Sequence, residues 1–394
     1  MKVHAVAHPP VGVPRTGVTG TRAIRFIVDR FLLLPIGAAV ALMWANTAAV
    51  SYFTFAHALS FFVNQVAMAF FLALIAQEVL EAVMPGGALH NWRRWSMPLV
   101  AAAGGIAGAA AVYLAFVQLK YELVLMQAWP VACAIDIAAG YYVLKMILPR
   151  SAALPFLLVL AVATNAFGLI VVGLRPTAVG LHAGGVALFL GAVGLAALLR
   201  HWRVRAFWPY LVLCGVLSWW GLYVAGIHPA LALMPIVPFL PHEPRKLDLF
   251  SDPPDDDAVH HYEHEWNGLV QVVLFLFGLV NAGVLLSGYD TGTWAVLAAA
   301  LVGRPLGILA AIALALALGL HLPRRIGWRQ LTVIALATSS GFTFALFFAT
   351  SVVPMGPVLA QIKIGALSTV AGALLAVGTA WLLGVGSART HRNP

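Results

Sequence analysis

Long apolar runs govern what this chain can become. A bilayer-spanning α-helix needs about 20 predominantly apolar residues, and by that measure roughly twelve runs qualify. They lie near 31–50, 58–84, 97–118, 124–147, 153–173, 180–199, 207–225, 227–240, 266–286, 292–320, 329–352 and 360–385. Soluble domains average about half apolar and a quarter charged residues; this chain is 62% hydrophobic and 9% charged. The expectation is an all-α integral membrane protein whose partner is the lipid bilayer, with one transmembrane domain over 31–385 between a basic tail (1–30) and a short tail (386–394). The first apolar run is too long for a typical signal-peptide core and is expected to be a retained helix.

Basic residues set the orientation. With the N-terminus in the cytoplasm, nineteen Lys and Arg fall in inside segments, and only Lys120 and Arg175 fall outside. That is the positive-inside pattern, and it predicts cytoplasmic N- and C-termini in a bacterial inner membrane. It also accounts for the net charge of +9, since these residues lie beside anionic headgroups; no nucleic-acid partner is implied. Cys133 and Cys214 both fall within apolar runs, where two separate apolar thiols are expected and no disulfide.

The long polar connection, 241–265, is expected to be an acidic, His-rich cytoplasmic loop. Its His260 and His264 stand four apart and would share a helical face with Glu263, a spacing that suits zinc. No cysteine assists, and Pro- and Asp-rich loops are ordinarily solvated, so no metal or other cofactor is assigned. A proton-sensing role for His260, His261, His264 and Glu265 at the mouth of the ninth helix is the preferred reading, because imidazole titrates near neutral pH. Glu78 and Glu81, three apart at the cytoplasmic end of the second helix, read equally as an acidic mouth or as a solvated helix end.

Chemistry at membrane depth needs polar groups there. Of the fourteen acids, Asp136 alone maps to the middle of a span. A charge at that depth costs about 2.5–3.5 kcal/mol on insertion scales, so it is a functional candidate with a partner to be named. Arg304, in "ALVGRPLGILAA", is the expected partner, and its guanidinium cannot shed its charge. Small and hydroxyl residues interrupt the runs "PVACAIDIAAG" and "ATSSGFTFA". At corresponding places in two halves of a transporter, such interruptions mark discontinuous helices. Ile135, Ser339, Ser340 and Gly341 are the expected break residues. Asp136 would offset the positive ends of the half-helices and Arg304 the negative ends. Gly104, Gly105 and Gly108 are expected to permit close helix packing.

The segments "VAMAFFLALIAQEVLEAV", "PLVAAAGGIAGAAAVYLAF", "ACAIDIAAG", "GIHPALAL", "LFGLVNAGVLL", "LVGRPLGI" and "GFTFALFFAT" together resemble, in order and spacing, the NhaA-type bacterial sodium/proton antiporters over nearly the whole chain. The resemblance implies about twelve transmembrane helices in inverted repeats, with helices four and eleven broken and crossing. It implies that Asp136 and Arg304 match the acid and the Lys that balance the dipoles there. The family's ion carriers are an aspartate pair in helix five, in an Asp-Asp-Leu-Gly motif. Here the aligned residues are Asn165, Ala166, Phe167 and Gly168, and the family's Thr before the helix-four acid is Ile135.

An amide offers a carbonyl oxygen but takes up no proton near neutral pH, and alanine does neither. The leading expectation is therefore monovalent-cation/proton exchange in which Asp136 carries the exchange, with the Asn165 carbonyl and the Thr164 hydroxyl assisting. A second is a family member without Na+/H+ coupling that acts as a partner or structural subunit, as a homodimer or within a membrane assembly. A third is passage of a small anion through an electropositive cavity. His228 is expected to cap a short helix, Asn64 and Asn281 to bond between helices, and Lys363 to snorkel to the outer interface.

Overall fold

Runs of Ala, Leu, Val and Phe without periodic charge form helices that can face lipid on one side and protein on the other. The computed structural model describes residues 33–83, 92–149, 151–173, 180–204, 206–240, 259–322 and 326–386, and among them every regular element is helical. In chain order these are α1 (Leu33–Thr47), α2 (Ala49–Phe61), α3 (Met68–Val83), α4 (Trp92–Leu119), α5 (Trp129–Cys133), α6 (Ile137–Ile147), α7 (Ala153–Gly173) and α8 (Ala183–His201). They continue as α9 (Val216–Ala225), α10 (Val259–Asn281), α11 (Thr291–Ala298), α12 (Arg304–Ala317), α13 (Trp328–Ala337), α14 (Phe342–Val352), α15 (Pro357–Ser368) and α16 (Ala371–Leu382). Single π-turns join α2 to α3, precede α9, and join α11 to α12 directly before Arg304.

Among the described residues, six helices are long and apolar enough to cross a membrane: Ala49–Gln77, Ser96–Leu119, Ala153–Gly173, Ala183–His201, Thr291–Ala317 and Pro357–Leu382. Two further spans are each broken, bent by 49° between Leu123–Ala132 and Ile137–Ile147, and by 47° between Trp328–Ala337 and Phe342–Val352. Leu33–Thr47, Pro209–Ala225 and Gly268–Asn281 are shorter apolar helices. The expected span at 227–240 is not a helix: it folds into two 3-10 turns, Pro229–Leu231 and Val237–Phe239. Pro229, Pro235 and Pro238 remove the backbone donors that an α-helix would need there. Its backbone is sheltered instead, with Ala230, Ala232, Ile236 and Val237 buried.

The outer surface is apolar, with Met43, Leu190, Leu314, Leu374 and Trp381 exposed, the inverse of a soluble protein. Inside, backbones approach closely through glycine. A Cβ on Gly104 or Gly108 of α4 would strike the backbone of Gly307 or Gly303, and the reverse holds for α12. Small residues facing one another in this way let membrane helices pack backbone to backbone. Gly105 faces Ile308 and the stem of Arg304, so this contact fixes where the arginine enters the core. Cys133 and Cys214 are buried free thiols.

Candidate functional site

Two helix interruptions meet at the centre of the site. After α5, Ala134 turns extended (φ −69°, ψ 139°), and Asp136 (φ −83°, ψ 106°) then serves as N-cap of α6. After α13, residues 338–341 leave the helix before α14 begins at Phe342. The N–H of Asp136 donates to the Ser340 carbonyl at 2.7 Å. Gly341 lies so near the Ala134 carbonyl that a Cβ there would collide with it. Ile135, Ser339, Ser340 and Gly341 all sit in these two interruptions.

Asp136, 7% exposed, joins the starts of two helices. Its Oδ1 accepts from the Ala139 N–H at 3.0 Å, in α6. Its Oδ2 accepts from the Thr343 hydroxyl at 2.7 Å and the Thr343 N–H at 3.3 Å, in the first turn of α14. Aspartate is among the preferred N-caps, and the partial positive ends of both half-helices converge on this one carboxylate.

Arg304 acts on the other two ends. Its guanidinium nitrogens donate to the carbonyls of Ala132, at the end of α5, and Thr338, at the end of α13. It is 1% exposed, and its Nε has no partner. The expected ion pair with Asp136 is not formed. The arginine is held by two helix C-termini, which need a cation as much as a carboxylate does, and charged hydrogen bonds to backbone satisfy it at lower cost than an isolated buried charge.

Asn165, fully buried, lies in α7 against the first break. Its Oδ1 accepts from the Ile135 N–H at 3.0 Å, and its Nδ2 donates to the Ile135 carbonyl at 2.7 Å. The carbonyl oxygen expected to assist an ion is therefore engaged by backbone. Thr164 donates to the Leu160 carbonyl at 2.8 Å, one turn back in its own helix, so its hydroxyl proton is engaged there.

Thr343 and Thr369 are site residues that the sequence reading did not single out. Thr369, at the end of α15, accepts from the Gly341 N–H at 3.0 Å and donates to the Ala366 carbonyl, holding the second break from behind. The only signal for Thr343 is its position two residues past the break glycine. Ser340 Oγ is buried and has no hydrogen-bond partner.

The remaining candidates are dispersed. His228 caps a 3-10 turn through the Ala230 N–H at 3.4 Å, and its Nε2 meets Ser351 Oγ at 3.1 Å. Asn64 and Asn281 exchange amide hydrogen bonds at 3.2 and 2.7 Å between helices. Glu78 and Glu81 fall on α3 and His260, His261, His264 and Glu265 on α10, but their side chains lie outside the described residues. Among the described residues no cluster of His, Cys, Asp and Glu suits a metal.

The family model for Na+/H+ antiporter 1 matches residues 29–383. The chain is 38% identical over 380 residues to the Na(+)/H(+) antiporter NhaA of Desulfitobacterium hafniense, covering 93% of this chain and 97% of that protein. It is also 38% identical over 361 residues to Na(+)/H(+) antiporter NhaA 1 of Pelobacter propionicus, covering 89% and 94% of the two chains. Among solved structures, it shares its fold with the sodium proton antiporter MjNhaP1 of Methanocaldococcus jannaschii: TM-score 0.53 at 15% identity, over 92% of this chain and 95% of that one.

Proposed function

The chain belongs to the Na+/H+ antiporter 1 family, and from that membership we propose that it is a secondary transporter exchanging a monovalent cation, sodium first, for a proton across the bacterial inner membrane. The observation that carries the reading is Asp136, a buried carboxylate held at once by the first turns of α6 and α14. A carboxylate binds either a proton or a hard cation through oxygen. Competition between the two for one group is what couples their movements. Thr343 Oγ1 lies 2.7 Å from Asp136 Oδ2 and can share a cation with it; Ser340, whose carbonyl accepts from the Asp136 N–H, carries a second, unpartnered hydroxyl. Arg304 keeps the opposite ends of the same two breaks neutralised whichever ion Asp136 holds.

The reading extends to architecture. Twelve spans follow if the irregular segment 227–240 completes a crossing beside the six long, two broken and three shorter apolar helices, since irregular backbone is tolerated at membrane depth when protein buries it. The two broken spans are then counterparts in an inverted repeat that cross at the midplane. Residues 31–385 form one transmembrane domain, with both tails and the 241–265 loop in the cytoplasm.

The test is proteoliposomes bearing an imposed pH gradient, with internal pH followed as Na+, Li+ or K+ is added to wild type and Asp136→Asn. Cation-evoked pH change in wild type and none in the correctly inserted variant is expected. Undiminished exchange in the variant overturns the role of Asp136. Silence of the wild type toward every cation overturns the transport reading, and attention then turns to anions and to partner proteins.

A further inference from the structure

Resting on that reading, we infer that Thr369 is a positioning residue for the exchange: its hydroxyl fixes the start of α14 and thereby aims Thr343 at Asp136. Each break is held by a buried side chain from the span that follows it. In the first, Asn165 Oδ1 accepts the Ile135 N–H at 3.0 Å from 30 residues further on. In the second, Thr369 Oγ1 accepts the Gly341 N–H at 3.0 Å from 28 residues further on. The membrane interior offers no water to an N–H that has left its helix, so the side chain that accepts it decides where the broken backbone sits.

A hydroxyl can donate once and accept twice. Thr369 donates to the Ala366 carbonyl at 2.6 Å in its own helix, much as Thr164 donates to Leu160 and Thr350 to Leu346. A threonine that only satisfied itself would stop there; Thr369 spends a remaining lone pair on Gly341. Its own place is fixed. It lies in the turn between α15 and α16, where the Gly372 N–H donates to its carbonyl at 2.8 Å. A Cβ on Gly372 would stand 2.7 Å from Ser339 Cβ and 3.0 Å from the Ser340 nitrogen, so this turn presses on the second break without slack. Gly341 is the N-cap of α14, and its carbonyl accepts from the Ala345 N–H at 2.7 Å. The first turn set in this way carries Thr343, whose N–H and hydroxyl both reach Asp136 Oδ2. Among the described residues the carboxylate oxygens bond only Ala139 and Thr343, so Thr369 acts on Asp136 through Gly341 and Thr343.

Proteoliposomes carrying wild type, Thr369→Val, Thr343→Val and the double variant decide it, with exchange titrated against Na+ and the inserted protein quantified in each. Thr369→Val keeps the shape and removes the acceptor. It is expected to raise the Na+ concentration for half-maximal exchange roughly 2- to 10-fold, the range that one neutral hydrogen bond supports, and Thr369→Ser is expected to bring it back. In the Thr343→Val background the same substitution is expected to add less than about twofold, because its effect passes through the hydroxyl already removed. An equal step in both backgrounds, or an unchanged titration in inserted Thr369→Val, overturns the inference while the antiport reading stands. If Thr369→Val fails to insert, Thr369→Cys, whose sulfur accepts only weakly, carries the same comparison with the same outcomes. Absence of coupled Na+ and H+ movement in wild type overturns the antiport reading and this inference with it.

Discussion

The side-chain amide of Asn165 pairs with the backbone of Ile135 in both directions, accepting at 3.0 Å and donating at 2.7 Å. The two residues stand on different helices. Ile135 has left the α-helical ladder, and in the hydrocarbon interior its N–H and C=O have no water to turn to; one amide supplies both partners. A carboxylate could accept the N–H but, when ionised, could not donate to the carbonyl. At this contact asparagine therefore holds the broken helix in its extended form.

Asn165→Leu removes both partners and leaves two buried backbone groups unsatisfied at about 1–3 kcal/mol each. The variant is expected to lose about 2–6 kcal/mol of stability, read as a fall in the melting temperature of the detergent-purified protein. Asn165→Asp is expected to be destabilised less than Asn165→Leu, since it keeps the acceptor. Equal melting of wild type and Asn165→Leu would mean that the break needs no outside partner.

Arg304 and Asp136 make opposite predictions from what an ion pair would give. Removing one member of a buried pair strands the other, at about 3–5 kcal/mol. Here Arg304 is bonded to Ala132 and Thr338 and not to Asp136. Asp136→Asn keeps one acceptor oxygen of the two and so loses either the Ala139 cap or the Thr343 bonds, a cost of about 1.5–3 kcal/mol. Arg304→Met strips two helix ends of charged hydrogen bonds worth about 1.5–3 kcal/mol each and is expected to be far less stable. If both variants melted equally low, the two residues would depend on each other after all.

Gly341 is required by space. Its φ of −124° suits any residue, but a Cβ would collide with the Ala134 carbonyl oxygen, and both neighbours belong to breaks that cannot shift independently. Gly341→Ala is expected to cost about 1–3 kcal/mol from overpacking and to abolish exchange by parting the two breaks. Gly378→Ala, on α16 with open space around its Cβ position, is the control expected to behave as wild type. Normal exchange in Gly341→Ala would show that the close approach is not needed for transport.

The helices were readable because membrane solvent imposes a simple demand: 153–173 is apolar but for Thr164 and Asn165, and its helix begins and ends at those residues. Asp136 and Arg304 stood out because a charge in such a run is costly. Residues 227–240 misled because their apolar content fits a span while their prolines forbid the helix. The partners of the site residues were not readable. A threonine at membrane depth often bonds one turn back in its own helix, as Thr164 does to Leu160 and Thr350 to Leu346. Nothing local distinguishes Thr343, which instead reaches a carboxylate 207 residues away in the chain. Asn165 looked like the remnant of an ion ligand because its bond to Ile135 exists only once α7 packs on the break.

Thr343 supplies the last test. Its hydroxyl donates to Asp136 Oδ2 at 2.7 Å, a hydrogen bond to a charged group worth about 1.5–3 kcal/mol. Thr343→Val keeps the shape and the backbone N–H but removes the oxygen, so a bound cation loses a ligand while the proton-binding carboxylate remains. The expected result is a rise of roughly 10- to 150-fold in the Na+ concentration needed for half-maximal exchange. Thr343→Ser, which restores the oxygen, should return it most of the way toward wild type. Because a hydroxyl that only braced the carboxylate would change stability and leave cation dependence alone, the two variants are to be compared in both melting temperature and Na+ titration. An unchanged Na+ titration in Thr343→Val would remove Thr343 from the ion site and leave it as a second cap on Asp136.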